Sequence, residues 1–193
     1  MISLQRTRTI DYGKCRERMC ASSQAIVNLL REKVIVYSKQ KTGGSVKDKV
    51  NLEKYCNETQ SWLSEIAQLL NVAGHTDRAF SAMKAVLHTL RDRTTVEEVF
   101  HLSAQLPALI RGIYLEGYKP SGKPEKMNAD EFVSEIKNRM GPSTEVQASD
   151  AIRAVLTVLY DKISPGEMED IKGSMPKDIQ RLWEKMVQTE NKL

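Results

Sequence analysis

From Leu52 onward the apolar positions recur at steps of three and four residues, the spacing that lines one face of an α-helix. Leu52, Tyr55, Cys56, Trp62, Leu63, Ile66, Leu69 and Leu70 predict a first helix. Gly74 is expected to end it, because glycine takes the left-handed conformation of a helix C-terminus without strain. Thr76 is placed to cap a second helix, whose stripe is Ala79, Phe80, Met83, Val86, Leu87 and Leu90. Thr95-Val96-Glu97-Glu98 has the form of a capping box, in which Thr95 accepts from the amide of Glu98 and the Glu98 carboxylate reaches back. The third helix then carries Val99, Phe100, Leu102 and Leu106 inward until Pro107, which lacks the N–H and crowds the preceding turn. A short fourth helix buries Leu109, Ile110, Ile113 and Tyr114 and ends at Gly117.

Tyr118 to Met127, with Pro120, Gly122 and Pro124, reads as a linker. Asn128 then offers an N-cap with Glu131 three residues on, followed by Phe132, Ile136 and Met140 on one face and a stop at Gly141-Pro142. The next helix carries Val146, Ala148, Ala151, Ile152, Val155, Leu156, Leu159 and Tyr160. Ser164-Pro165-Gly166-Glu167 starts another, with Ser as cap, Pro at the first position and Glu at the third. Met168, Ile171 and Met175 lead to Pro176, and a last helix presents Ile179, Leu182, Trp183 and Met186. The pattern predicts an all-α protein.

Residues 1–50 follow no such rule. Ala25, Ile26, Leu29 and Leu30 have helical spacing, whereas Val34-Ile35-Val36-Tyr37 is β-branched and favours a strand, so the two signals conflict. Thr42-Gly43-Gly44-Ser45 marks the boundary. Beyond it the sequence repeats: Ala85-Val86-Leu87-x-x-Leu90 returns as Ala154-Val155-Leu156-x-x-Leu159, an offset of 69. At that offset Asp92 meets Asp161, Glu98 meets Glu167, Leu102 meets Ile171, Pro107 meets Pro176 and Tyr114 meets Trp183. The expected organisation is a basic arm over 1–50, a first four-helix unit over 51–120 and a related second unit over 128–193. Units this small are marginal alone, so the two are expected to pack together as a helical bundle.

The run from Ala104-Gln105-Leu106-Pro107 through Arg111-Gly112-Ile113-Tyr114-Leu115-Glu116-Gly117-Tyr118, preceded by Ala85-Val86-Leu87-x-x-Leu90-Arg91 and His101-Leu102, resembles the bacterial family known as domain of unknown function 2267. Tyr118 stands where that family usually has Trp. The resemblance spans roughly Cys56 to Glu190 and is degenerate in the second unit, where Ser174 replaces Gln105 and Arg181 replaces Gly112. It implies a helical bundle, often doubled, and brings no assigned activity, cofactor or catalytic residue.

Charge alters the picture mainly at the N-terminus. Residues 1–50 hold eleven Lys/Arg against four Asp/Glu, whereas the remainder holds 18 against 21. Arg6, Arg8, Lys14, Arg16 and Arg18 are therefore candidate phosphate contacts for nucleic acid. No apolar run nears the roughly 20 residues that span a bilayer, and no signal pattern opens the chain, so a cytoplasmic protein without a membrane partner is expected. Three cysteines at irregular spacing argue against a disulfide framework and a zinc finger.

Candidate chemistry is sparse. Glu97 and Glu98 stand four and three residues before His101, and either spacing lets a carboxylate and an imidazole share a metal ion on one helix face. The second unit offers Glu167 and Asp170 but no histidine, and a capping or hydrogen-bonding role for His101 is the competing reading. His101, Gln105, Arg111, Glu116 and Tyr118 concentrate around the proline-broken helix pair and form a candidate binding surface. No nucleophile motif, phosphate loop or catalytic constellation is present, and no cofactor is implied. The favoured expectation is a non-enzymatic scaffold or interaction module that binds a protein partner or itself. Two alternatives remain: a nucleic-acid-associated protein acting through the arm, and a metal or small-ligand binding bundle.

Overall fold

The computed structural model describes residues 51–142 and 145–188, which belong to one compact unit. The conflicting helix and strand signals in residues 21–37, and the basic arm itself, lie outside the described residues. The described residues form eight helices in order: α1 (Leu52–Leu69), α2 (Thr76–Arg93), α3 (Val96–Gln105), α4 (Ala108–Leu115), α5 (Ala129–Met140), α6 (Ala148–Lys162), α7 (Pro165–Gly173) and α8 (Lys177–Gln188). No strand occurs among the described residues, so the fold is all-helical. None of the described helices is long and apolar enough to cross a membrane.

The helix ends show where local sequence chemistry decides and where it does not. Asn51 caps α1 by accepting from the amide of Lys54. Asn71 (φ 55°) is the left-handed residue that closes its far end, three residues ahead of Gly74 (φ 87°), and Val72 and Asn71 donate to the carbonyls of Ala67 and Gln68. That paired closure satisfies carbonyls the helix cannot. Thr76 is the first residue of α2 and His75 its unbonded cap, so the threonine cap is not formed. Asn128 and Glu131 close the full reciprocal box on α5. Pro107 and Pro176 sit immediately before α4 and α8, where a missing N–H costs nothing.

Helices α2 and α6 form the centre. Ala79, Ala82, Met83, Ala85, Val86, Leu87 and Leu90 are buried on α2, and small and branched residues bury more than one face of α6 as well. Alanines keep these helices thin, so several neighbours approach at once. Helix α2 packs on α1, α4, α5 and α6, and α6 packs on α1, α5, α7 and α8. Buried side chains from residues 51–120 and 128–188 join a single core cluster. Trp183 of α8 packs its ring edge-on to Tyr160, and its indole N–H donates to the Tyr160 hydroxyl at 3.0 Å.

Six positions assigned inward by periodicity face water instead, among them Leu69 at the end of α1. Leu52 (66% exposed) and Tyr55 lie on the first turns of α1, which bury nothing until Trp62; Phe100 and Leu109 are exposed on α3 and α4. Cys56 is exposed as a free thiol.

A buried ionic cluster fastens the linker. Asp92 accepts from Arg91 (3.0 Å), Lys123 (3.1 Å) and Arg139 (2.9 Å), and its backbone carbonyl accepts from the Glu125 amide. Arg91 also donates to the carbonyls of Tyr114 and Glu116 and lies 5.1 Å over the Tyr118 ring. Burial alone would raise the Asp92 pKa, but hydrogen bonds from Arg91, Arg139 and Lys123 outweigh it and hold the carboxyl below its ordinary range. One carboxylate thus joins the end of α2, the linker and α5.

Candidate functional site

Helices α3 and α7 pack against each other, and the polar residues of their seam come from both. The side chain of Thr95 accepts from the Glu98 amide at 3.4 Å, but the Glu98 carboxylate does not return to the Thr95 amide. At α7 the Ser164 side chain makes no cap bond, and its amide donates to Gln105 Oε1 at 3.0 Å. Gln105 Nε2 donates in turn to Glu167 Oε2 at 3.1 Å. A single amide therefore spans the end of α3 and the start of α7, two bonds that sequence spacing could not show because the partners are 59 and 62 residues apart.

The other oxygens of the two glutamates are the unusual feature. Glu98 Oε2 and Glu167 Oε1 are closed off from solvent and accept no hydrogen bond from the described residues. His101 Nδ1 stands 3.7 Å from Glu98 Oε2, beyond hydrogen-bond length but within ion-pair range. One ligand atom from each of Glu98, His101 and Glu167 lies within 4.8 Å of the others. Burial raises the Glu167 pKa, and the Glu98 charge adds to the rise, against smaller opposing effects of His101 and the Gln105 hydrogen bond. Glu97 is exposed and outside this group. The trio of potential ligands is thus Glu98, His101 and Glu167, with the third member supplied by the second half of the chain.

The five residues expected to form one binding surface serve separate places. His101 and Gln105 belong to the α3–α7 seam. Arg111 donates to the carbonyls of Ala104 and Leu106, closing the end of α3 across Pro107. Glu116 pairs with Lys84 at 2.6 Å, and the Lys84 hydrogen bond lowers its pKa. Tyr118 lies under the Arg91 guanidinium, with its hydroxyl buried and unpartnered, and burial raises its pKa. Sequence reasoning did not single out His88, whose Nε2 donates to the Ile113 carbonyl at 2.7 Å; burial is the main cause lowering its pKa. Arg6, Arg8, Lys14, Arg16 and Arg18 lie outside the described residues.

The core cavity between Val86, Phe132, Ile152 and Trp183 holds only about 10 Å³, at the limit for one water molecule. No curated protein matches the chain. The model of the family described as uncharacterized conserved protein (DUF2267) matches residues 59–182, well over half of the sequence, and the chain belongs to that family.

Proposed function

We propose that the chain is a non-enzymatic helical module that binds a protein partner through the surface of α3 and α4. The observation carrying this reading is the exposure of Phe100 (52%) and Leu109 (44%) on two packed helices. Each occupies a position that its helix periodicity assigns to a buried stripe. Each is already about half covered, so covering the rest of either side chain would contribute about 1 kcal/mol. Exposed Glu97 and Arg111 on the same helices supply a polar surround, the composition of an apolar interface centre with a wet rim. The fitting occupant is an apolar face of a partner helix. The internal engagement of Gln105, Arg111, Glu116 and Tyr118 supports a scaffold over an enzyme, since those side chains already have work within the fold.

The same reading treats residues 51–120 and 128–193 as duplicated units. In its support, the pairs α1–α2, α1–α4, α2–α4 and α3–α4 have counterparts in α5–α6, α5–α8, α6–α8 and α7–α8.

The test is cross-linking capture from the protein's own cells, run in parallel with the full chain and a Phe100→Ser/Leu109→Ser variant. A defined partner retained by the first and lost by the second is expected. Identical captured sets, with both proteins folded, would overturn the assignment of this surface.

A further inference from the structure

We propose that Glu98, His101 and Glu167 form a site for one divalent transition-metal ion of the zinc class, bridging α3 and α7. The proposal is independent of the partner surface. It rests on two separate observations, the convergence of three ligand atoms and the state of two of them.

The convergence has workable dimensions. Donors around a tetrahedral ion with bonds of about 2.0–2.2 Å stand about 3.4 Å apart. His101 Nδ1 and Glu98 Oε2 are already 3.7 Å apart, and all three ligand atoms lie within 4.8 Å of one another. The closure needed is about an ångström, which side-chain rotation supplies without moving a helix. One imidazole nitrogen with two carboxylate oxygens is a donor set for zinc, manganese, iron or cobalt rather than for magnesium or calcium, which take oxygen. His101, with its side chain 55% exposed, leaves the ion a path from solvent and an open coordination position.

The second observation is the pair of oxygens without donors. Glu131 shows the usual fate of a glutamate at the third position of a capped helix: its carboxylate accepts from the Asn128 amide at 2.8 Å. Glu98 and Glu167 occupy that position on α3 and α7 and neither closes onto its own cap. Both instead present an oxygen sealed from water and without any donor. A buried anionic oxygen left so is unfavourable, and two of them facing one seam call for a positive charge between them. Gln105 completes the arrangement by holding Glu167 Oε2, which leaves Oε1 as the oxygen without a donor. Holding one oxygen of a ligating carboxylate fixes the direction of the other.

The test is titration of the untagged full chain with Co²⁺, followed by absorption, with Zn²⁺ added as competitor. The expected result is one equivalent bound, ligand-field bands of nitrogen and oxygen ligation, displacement by Zn²⁺, and a higher Tm in the loaded protein. Glu98→Gln and Glu167→Gln keep shape and should each abolish saturable binding while circular dichroism shows intact helices. The idea is overturned if the wild-type chain binds no Co²⁺ at millimolar concentration. Retention of binding in the Glu98→Gln/Glu167→Gln double variant overturns it too. So does a thiolate charge-transfer band in place of the expected spectrum, which would assign the metal to cysteine.

Discussion

Removing the Asp92 carboxylate tests a buried cluster in which one anion meets three cations. Asp92 receives Arg91, Lys123 and Arg139 at 2.9–3.1 Å, and the Asp92, Arg91 and Lys123 side chains are all at least nine-tenths buried. In Asp92→Ala, three cations lose their shared counter-ion. Breaking a buried pair by deleting one member costs about 3–5 kcal/mol, most of it from the charge left behind. The lower end applies here: Arg91 keeps the carbonyls of Tyr114 and Glu116, and Arg139 keeps Glu135 and a route to water. About 3 kcal/mol corresponds to a fall in Tm of about 10 °C for a domain of this size. Thermal unfolding followed by circular dichroism, with urea denaturation at 25 °C as a second measure, reads the change. Asp161 is the internal control. It lies 69 residues further along the chain, with a side chain that is 71% exposed and pairs with the neighbouring Lys162. Asp161→Ala should stay within about 0.5 kcal/mol of the parent. A loss below about 1 kcal/mol in Asp92→Ala would refute the view that one carboxylate holds the linker to α2 and α5.

The same group sets an acid limit. Its folded pKa lies below the ordinary 3.8, so the unfolded chain binds the proton more readily. Its contribution is therefore fully present above 3.8 and disappears as pH falls through the folded value. Stability measured from pH 5 to pH 2 should drop more steeply in the parent than in Asp92→Asn, and parallel curves would contradict the assignment. Phe100→Ser/Leu109→Ser should lower the unfolding free energy from urea denaturation by about 1.5–3 kcal/mol, because each side chain is about half covered; a loss well beyond that would mean they pack fully in solution. If the arm binds DNA through Arg6, Arg8, Lys14, Arg16 and Arg18, the logarithm of affinity should fall against log salt with a slope of about −4.5. Deleting residues 1–19 should then abolish binding, and binding that survives the deletion refutes the role of the arm.

Helices were legible because their signals are local. Stripes such as Phe132, Ile136 and Met140, the Asn128–Glu131 box and the prolines at 107 and 176 each act within one or two turns, and the structure places helices accordingly. The AQLP run that suggested the family also lies inside the matched residues. Periodicity says that a face is apolar, not that a neighbour covers it, which is why Leu52, Phe100 and Leu109 were assigned inward and are exposed. Terminal caps failed where a second option competed nearby: Asn71 precedes Gly74 and also tolerates the left-handed conformation.

The candidate site shows the stricter limit. On one helix, Glu97 and Glu98 are equally good partners for His101, because four-residue and three-residue spacings both bring side chains together. Only the packing of α3 on α7 separates them, leaving Glu97 in water and setting Glu98 beside Glu167. Glu167 was visible as a helix-start residue and nothing more, since its relation to Glu98 crosses 69 positions. The offset that aligned the two glutamates carried that information in a form that spacing rules do not read. Where α3 packs on α7, positions 69 apart in the chain come together, and here the residues that meet are alike. For leucines that meeting is favourable, and for glutamates it is not. A carboxylate pair at such a seam is therefore the place where the packing needs a cation, a proton or an amide such as Gln105, and Gln105 bonds only one of the four oxygens.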